Sequence, residues 1–519
     1  MRRTTRLILT LLLPIAPLTL LALSSATQAQ QAATHGAATE PNLPASATLT
    51  CNPDWHTAVA TTDTVPPDTL PASTPRDGNT LSSQQAETGS DTTAILIVNR
   101  LSRLLENPIF KRTQVGIYVY DLTADKPLFA HGEEQQLRPA SNEKLITAIS
   151  ALTLLETDYR YKTKLFTDGE VKDSVLKGDI ILRGGFDPLI DRYDLRAFAD
   201  SLRAAGIDKV DGELLFDRSF KDTATLGWGW CWDDDEIPLS PLLYDTKPGL
   251  ADRLASFLND EGMRIKGTPR EISAVPPTAS LLAVRTHTVD QILMPMMKRS
   301  DNLFAESLFY QIAAKGGRRR ASRKHAARQI NQLISRLGLN PSAYQIADGS
   351  GLSLYNYLSP RLLVSMLRHA YRHEAVYRHL LPSLPIAGED GTLRRRMRGT
   401  SAQGNVKAKT GTVEGVSTLS GYCTATNGHT LCFSIMNQGI RYTATGRRFQ
   451  DRVCEALTGT EVKREPGDDE DKPEEETQER GNSNSPSAES EEEAGSSEEE
   501  PVEDKELTES RDTEAESTE

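Results

Sequence analysis

Long hydrophobic runs are almost absent from this chain of 519 residues. The apolar run at residues 7–23 contains two prolines, and no later segment is long enough to cross a membrane. Three arginines precede the run and small residues follow it up to Ala29, which is typical of a secretory signal peptide over residues 1–29. We therefore expect export across the inner membrane to the periplasm or cell envelope, with no transmembrane span in the mature chain. An uncleaved membrane anchor is the alternative.

Cysteine and histidine are also scarce, with five and nine residues. No cysteine stands at the end of the apolar run, which argues against a lipid anchor there. His369 and His373 have the spacing of metal ligands on a helix, but no third ligand or His-Glu-x-x-His pattern accompanies them. We therefore expect no metal and no cofactor. The basic run at 318–325 is interpreted as a solvated helix face or a contact with an anionic envelope polymer, and no nucleic-acid partner is expected.

Charge is unevenly distributed along the chain. Residues 461–519 contain 25 acidic and six basic residues, a net charge of −19. The whole chain carries −13, so residues 1–460 carry +6. This pattern predicts a mildly basic protein with an acidic disordered tail, which is either a solubilising extension or a partner-binding segment. Residues 30–90, rich in Thr, Ala, Ser and Pro, predict a low-complexity, disordered tether.

Ser141 and Lys144 are the first candidate catalytic residues. Pro139 marks the start of a helix, and the residues from Ala140 to Glu156 contain no Gly or Pro and are apolar on nearly every face, which predicts a buried helix. Positions i and i+3 share one face of the first turn, so the amine of Lys144 can remove the proton of the Ser141 hydroxyl. The helix N-terminus also favours a developing oxyanion. Taken alone, the motif is more typical of a capping serine followed by a surface lysine.

Two later stretches complete a pattern. Ser300-Asp301-Asn302 precedes an apolar helical run, and Lys409-Thr410-Gly411-Thr412 ends a strand-like segment. Ser-x-x-Lys, Ser-Asp-Asn and Lys-Thr-Gly in this order are the signature of the penicillin-recognising serine acyltransferases. The 155 residues between the first two motifs (145–299) are far more than a β-lactamase core needs to connect them.

The chain resembles the D-alanyl-D-alanine carboxypeptidase/endopeptidase family, the low-molecular-mass class C penicillin-binding proteins. The segments that carry the resemblance besides the three motifs are 177–188, 227–234, 348–353 and 384–393. The resemblance covers residues from about 92 to 460. It implies an α/β fold with a penicillin-binding transpeptidase/β-lactamase-like domain, in which an antiparallel sheet is flanked by helices. The serine DD-peptidase domain is expected at 91–164 and 286–460, and a strand-rich insert between the first and second motifs is expected at 165–285.

The resemblance also implies a role for each motif residue. The implied site residues are Ser141 (nucleophile), Lys144 (base), Ser300 (proton relay), Asn302 (substrate amide), Lys409, Thr410 and Gly411 (substrate, chiefly its terminal carboxylate), and the backbone N–H groups of Ser141 and Thr412 (oxyanion). The implied substrates are peptidoglycan stem peptides that end in D-Ala-D-Ala, and β-lactam antibiotics would acylate Ser141 as mimics of that dipeptide. The balance between carboxypeptidase and endopeptidase action stays open. A β-lactamase and a non-catalytic envelope-binding protein are the alternative functions.

Two local features allow more detailed expectations. The alternating runs at 417–426 and 430–436 predict a β-hairpin with Asn427-Gly428 as a two-residue turn. That turn would place Cys423 directly opposite Cys432, either as a disulfide or as two buried thiols. The tryptophans at 228, 230 and 232 are expected either in the core or at the cleft.

Overall fold

The computed structural model describes residues 83–459 apart from 232, 233 and 235, with side chains from residue 92 onward. The predicted signal peptide (1–29), tether (30–90) and acidic tail (461–519) therefore lie wholly or almost wholly outside the described residues. No helix in the described part of the chain is both long and apolar enough to cross a membrane.

Helices and short strands alternate along the chain. The strands, in chain order, are β1 (Gln114–Asp121), β2 (Lys126–His131), β3 (Thr163–Lys172), β4 (Val175–Arg183), β5 (Lys209–Val210), β6 (Leu214–Asp217), β7 (Leu243–Tyr244), β8 (Lys247–Pro248), β9 (Arg270–Ile272), β10 (Ser280–Arg285), β11 (Lys407–Val413), β12 (Val416–Thr424) and β13 (Thr430–Gln438). The α-helices are α1 (Ser83–Leu104), α2 (Glu143–Leu154), α3 (Arg192–Ala204), α4 (Leu250–Asp260), α5 (Val289–Lys298), α6 (Asn302–Ala313), α7 (Arg323–Arg336), α8 (Pro360–Arg372), α9 (Glu374–Ser383) and α10 (Thr443–Thr458).

A five-stranded antiparallel sheet, in the order β11-β12-β13-β1-β2, has helices on both faces. Successive side chains of a strand point to opposite faces, and β1 follows this rule. Ile117 and Val119 pack in a core that also contains Leu101 of α1 and Phe449 of α10. Tyr118 belongs to the opposite core, which is formed with α2, α6 and α8. The expected fold class, an antiparallel sheet flanked by helices, is confirmed.

The α2 helix lies at the centre of that second core. Eleven of its twelve residues are buried, and α2 contacts helices α5 to α9. A helix surrounded by protein needs apolar side chains on all faces, which the sequence from Leu145 to Leu154 supplies. Thr147 satisfies its hydroxyl by donating to the carbonyl of Gly349 at 2.8 Å. The predicted burial of this helix is confirmed, and it carries Lys144 into the interior on its first turn.

Six of the strands between residues 163 and 285 form a second sheet, in the order β10-β3-β4-β6-β9 with β5 also paired to β4, whereas β7 and β8, among the described strands, pair only with each other. Its strands are antiparallel on the β3 side of β4 and parallel on the β6 side. Helices α3 and α4 pack on it around a separate core that includes Leu182, Phe198 and Leu254. In the described part of the chain, none of these strands pairs with a strand of the first sheet.

The β12–β13 hairpin differs from the expected register. Cys423 pairs with Leu431 and Cys432 pairs with Tyr422, so the prediction that the two cysteines face each other is wrong. The backbone N–H of Ala425 donates to the carbonyl of His429 at 2.9 Å, which leaves three loop residues instead of two. A shift of one residue moves a side chain to the other face of a sheet. The two thiols therefore lie in different cores, both buried and free.

Candidate active site

Ser141 lies in a short 3-10 helix, Ala140–Asn142, that leads directly into α2. Ala140 has a left-handed backbone with φ of 45°, which is uncommon for a residue with a side chain. Gly351 packs against this turn so closely that a Cβ there would lie 1.9 Å from the carbonyl oxygen of Ala140. The turn is also tied to the first sheet, because Asn142 Nδ2 donates to the carbonyl of Lys409 at 3.1 Å. These contacts hold the serine at the edge of β11.

Lys144 Nζ makes three hydrogen-bond contacts inside the protein. Its Nζ lies 3.0 Å from Ser141 Oγ, 2.6 Å from Asn302 Oδ1 and 2.8 Å from the carbonyl oxygen of Ser350. The side chain is fully buried. Burial lowers the pKa of Lys144 from 10.5 to about 8, because desolvation disfavours the charged form. The amine is therefore neutral in part of the molecules near neutral pH, and a neutral amine at this distance can accept the proton of a hydroxyl.

A cluster of buried carboxyl groups limits how far the pKa of Lys144 is lowered. Asp348 and Glu306 both lie close enough to favour the charged form of Lys144. Glu306 is itself buried, and its pKa is raised to about 8 by desolvation and by Asp348. Glu143, next to Lys144 in the chain, is also fully buried, and neither of its carboxyl oxygens has a hydrogen-bond partner among the described residues. Desolvation, Asp348 and Glu306 raise the pKa of Glu143 well above its usual range, which favours a neutral carboxyl group.

Ser300 and Lys409 form a second pair. Ser300 connects α5 to α6 with a left-handed φ of 63°, and Lys409 Nζ donates to its Oγ at 2.8 Å and to the carbonyl of Thr410 at 2.8 Å. Burial, together with the charge of Lys144, lowers the pKa of Lys409 well below its usual range. Each of the two lysines therefore contacts one of the two motif serines, and Lys144 is close enough to Lys409 to affect its pKa.

Gly411 allows β11 to lie against the serine turn. A Cβ at this position would be 2.2 Å from Thr418 Oγ1 and 3.0 Å from the backbone nitrogen of Ser141. Only glycine therefore permits this approach. Thr410, one residue earlier, donates its hydroxyl to Thr392 Oγ1 at 2.7 Å, and Thr412 is the next residue along the same strand.

Asn302 links the first two motifs to a residue that sequence reasoning missed. Its Oδ1 accepts from Lys144, and its Nδ2 donates to Glu236 Oε1 at 2.5 Å. Glu236 belongs to the loop between β6 and β7, in the segment between the first two motifs. Desolvation raises the pKa of Glu236. The acidic run that follows the tryptophans was the available signal, but nothing in the sequence selects Glu236 from its neighbours.

The tryptophan loop contacts the site through Asp348. Trp230 Nε1 donates to Asp348 Oδ2 at 2.9 Å, so this tryptophan points inward. Trp228 is 41% exposed, and its ring centroid lies 4.8 Å from that of Tyr355. Trp230 therefore packs against the core, Trp228 is partly exposed, and Trp232 lies outside the described residues.

The chain is similar in sequence and fold to known proteins. The D-alanyl-D-alanine carboxypeptidase DacB of Haemophilus influenzae is 24% identical over 405 residues, covering 62% of this chain and 84% of that protein. The D-alanyl-D-alanine carboxypeptidase of Actinomadura sp. is 28% identical over 442 residues, which cover 65% of this chain and 80% of that protein. The crystal structure of penicillin binding protein 4 (dacB) from Haemophilus influenzae has the same fold, with a TM-score of 0.63 and 22% identity over 69% of this chain and 99% of that one.

The comparison with protein families covers most of the chain. The sequence pattern of the D-Ala-D-Ala carboxypeptidase 3 (S13) family matches residues 97–246 and 238–458. These two matches together span well over half of the 519 residues and include every motif described above. The chain therefore belongs to the D-Ala-D-Ala carboxypeptidase 3 (S13) family of hydrolases.

Proposed function

We propose that this protein hydrolyses the terminal D-Ala-D-Ala bond of peptidoglycan stem peptides through an acyl-enzyme on Ser141. The observation that carries the proposal is the 3.0 Å contact between Lys144 Nζ and Ser141 Oγ, made by an amine whose pKa is about 8. A nucleophilic hydroxyl needs a base within hydrogen-bond distance, and this contact provides one. The names of the relatives from Haemophilus influenzae and Actinomadura sp. support the same substrate.

Acylation begins with a proton transfer. Neutral Lys144 accepts the proton of Ser141, and Oγ attacks the carbonyl carbon between the two D-alanines. The carbonyl oxygen becomes an oxyanion, which the backbone N–H groups of Ser141 and Thr412 stabilise. The contact of Gly411 with the nitrogen of Ser141 supports this arrangement, because it brings β11 to the serine.

Collapse of the oxyanion breaks the peptide bond and releases the second D-alanine. Its nitrogen needs a proton as it leaves, and Ser300 relays one from the lysines. Water then attacks the ester on Ser141 and returns Oγ to its hydroxyl form. A β-lactam follows the same first steps, but its opened ring remains attached as a slowly hydrolysed ester. A solved structure of the Haemophilus influenzae relative, complexed with a β-lactam, supports this part of the proposal.

Lys409, Thr410 and Gly411 recognise the terminal carboxylate. In the free protein, burial and Lys144 oppose a charge on Lys409. A bound carboxylate would reverse this balance, because an opposite charge at close range favours the ammonium form. Thr410 adds a hydroxyl donor beside the ammonium group, and Asn302 holds the substrate amide with Nδ2. The free carboxylate at the end of the peptide is thus the feature that this cleft selects.

We further propose that the chain is divided as the sequence predicts. Residues 91–164 and 286–460 form the peptidase domain and residues 165–285 an insert, and this division is supported because none of the described strands between 163 and 285 pairs with the first sheet. Residues 1–29 act as a signal peptide for secretion to the periplasm or cell envelope, where the proposed substrate occurs.

Two measurements on the purified protein test the activity. Incubation with benzylpenicillin should add the mass of one penicillin molecule, and a synthetic pentapeptide ending in D-Ala-D-Ala should lose one D-alanine. Ser141→Ala should abolish both the penicillin adduct and the release of D-alanine. A protein that forms no adduct and releases no D-alanine would contradict the proposal, and rapid turnover of penicillin would identify a β-lactamase instead.

Glu236 provides a separate test of the hydrogen-bond chain through Asn302. Glu236→Gln keeps an acceptor for Asn302 Nδ2 but removes a negative charge that raises the pKa of Lys144. The other acids near Lys144, which are Asp348, Glu306 and Asp301, remain in place. We therefore expect the rise of the acylation rate with pH to move to lower pH in Glu236→Gln.

Glu236→Ala removes the acceptor as well. Asn302 then loses one of the two contacts that orient its amide, and we expect acylation to slow by about tenfold, the value of one good hydrogen bond. The measurement is the second-order rate of acylation by penicillin between pH 6 and 10. Identical pH profiles in the parent and both variants would show that Glu236 does not position Asn302.

A further inference from the structure

A strongly basic cavity lies at the end of α2 that is remote from Ser141. Its volume is about 520 Å³, and helix α2 of 12 residues separates it from the serine turn by roughly 18 Å. Leu154, the last residue of α2, and Leu155, which follows it, line one side. The basic residues that line it are Arg160, Lys162, Lys164, Arg183, Lys315 and Arg318. Glu156 is the one acidic residue in the same lining.

The basic residues on the sheet face each other across two strands. Lys164 of β3 and Arg183 of β4 are direct register partners, so their side chains lie on the same face. Lys162 stands two residues before Lys164 and shares that face. Like charges directly opposite each other in a sheet destabilise it. Burial and these two neighbouring cations lower the pKa of Lys164, which reflects the same repulsion.

Little in the described part of the protein compensates these charges. Arg183 has an ion pair with Asp217 at 3.5 Å, and the other five cations form none with a described residue. The C-terminal ends of α2 and α6 carry partial negative charge, which favours the cations that follow them in the chain, Arg160, Lys315 and Arg318. They do not compensate the charges of Lys164, at the start of β3, and Arg183, at the end of β4. A cavity with opposed cations and a single acidic residue in its described lining is suited to an anion that carries several charges.

We propose that this cavity binds carboxylates of the chain's own C-terminal acidic segment, residues 461–519. Charge complementarity supports this occupant, because the segment carries −19 whereas residues 30–460, which remain after the predicted signal peptide, carry +3. Its 59 residues span up to about 200 Å at roughly 3.3 Å per residue, so the segment is long enough to reach any face of the protein. A tethered ligand also has an effective concentration on the order of millimolar, which favours binding even when each contact is weak.

A zero-length carbodiimide cross-link on the full chain tests the proposal, because this reagent joins a lysine amine to a carboxylate only when they are in contact. Peptide mapping should find carboxyl groups of 461–519 joined chiefly to Lys162, Lys164 and Lys315. A triple variant in which these three lysines are replaced by glutamine should lose at least about four-fifths of the cross-links to 461–519. In the matched control, glutamine replaces Lys126, Lys172 and Lys247, which are exposed and lie outside the cavity. This control should lose few of the cross-links to 461–519.

A second full-length variant changes the segment instead of the cavity. Replacing Glu491, Glu492, Glu493, Glu498, Glu499 and Glu500 by glutamine should reduce the cross-links to the cavity lysines by at least about twofold. Cross-links spread evenly over all exposed lysines, or unchanged in the triple variant, would overturn the proposal. Polyphosphate could instead raise the melting temperature of the parent but not of the triple variant, with no cross-links between 461–519 and the cavity lysines. In that case the cavity binds an external phosphate polymer, and the proposal also fails.

Discussion

Replacing Lys144 by methionine is expected to slow acylation by penicillin by about 10³ to 10⁴-fold. The substitution keeps most of the buried volume but removes the amine that lies 3.0 Å from Ser141 Oγ. Proton transfer by a positioned base contributes an acceleration of about 10² to 10⁴. Lys144 is also the sole amine that the structure places in contact with this hydroxyl among the described residues. The measurement is the rate of adduct formation by intact mass.

The pH dependence of the parent protein should identify the same group. With a pKa of about 8, the acylation rate should rise roughly tenfold per pH unit below pH 8 and level off above it. The folded state holds the Lys144 proton less tightly than the unfolded chain, in which the pKa is near 10.5. Stability therefore rises with pH between about 8 and 10.5, where the unfolded chain binds more protons. Lys144→Met should weaken both the pH dependence of the acylation rate and the rise of stability between about pH 8 and 10.5.

Lys221→Met is the matched control for loss of a buried lysine. Lys221 is also buried, and its Nζ donates to the backbone carbonyls of Asp222 and Ala224, outside the site. This variant should lose stability while it acylates at the parent rate. Acylation of Lys144→Met within about tenfold of the parent rate would mean that another group is the base.

Replacing Asp348 by alanine is expected to lower the free energy of unfolding by about 3–5 kcal/mol, a large effect for one residue. The buried carboxylate accepts from the backbone N–H groups of Gly351 at 2.8 Å and Ser353 at 2.7 Å. It also accepts from Asn356 Nδ2 at 2.7 Å and Trp230 Nε1 at 2.9 Å. Alanine would leave these buried donors without a partner.

The same substitution should slow acylation, because Asp348 holds the turn that presents the carbonyl of Ser350 to Lys144. Asp194→Ala is the control: this buried carboxylate caps α3 and pairs with Arg285, away from the cleft. It should lower stability and leave acylation unchanged. Urea denaturation and the acylation rate are measured on both. An Asp348→Ala protein with parent stability would show that water replaces the carboxylate.

Much of the fold and site was predictable from sequence because it depends on local order. The spacing of Ser141 and Lys144 on one helical turn, and the apolar faces of α2, follow from the 3.6-residue repeat alone. The alternation around Ile117 likewise predicts a strand whose successive side chains point to opposite faces. The residues of the Ser-Asp-Asn and Lys-Thr-Gly motifs could be named for the same reason, since each motif is a short local pattern.

Contacts between distant segments were decided by the tertiary structure alone. Glu236 meets Asn302 across 66 positions of the chain, and Trp230 meets Asp348 across 118, because a loop before β7 returns to the cleft. The register of the β12–β13 hairpin depended on one additional loop residue, which the Asn-Gly signal did not reveal. The pKa of Lys144 is also a tertiary property. Sequence places an amine beside a hydroxyl, but burial among several helices, opposed by Asp348 and Glu306, makes that amine a base.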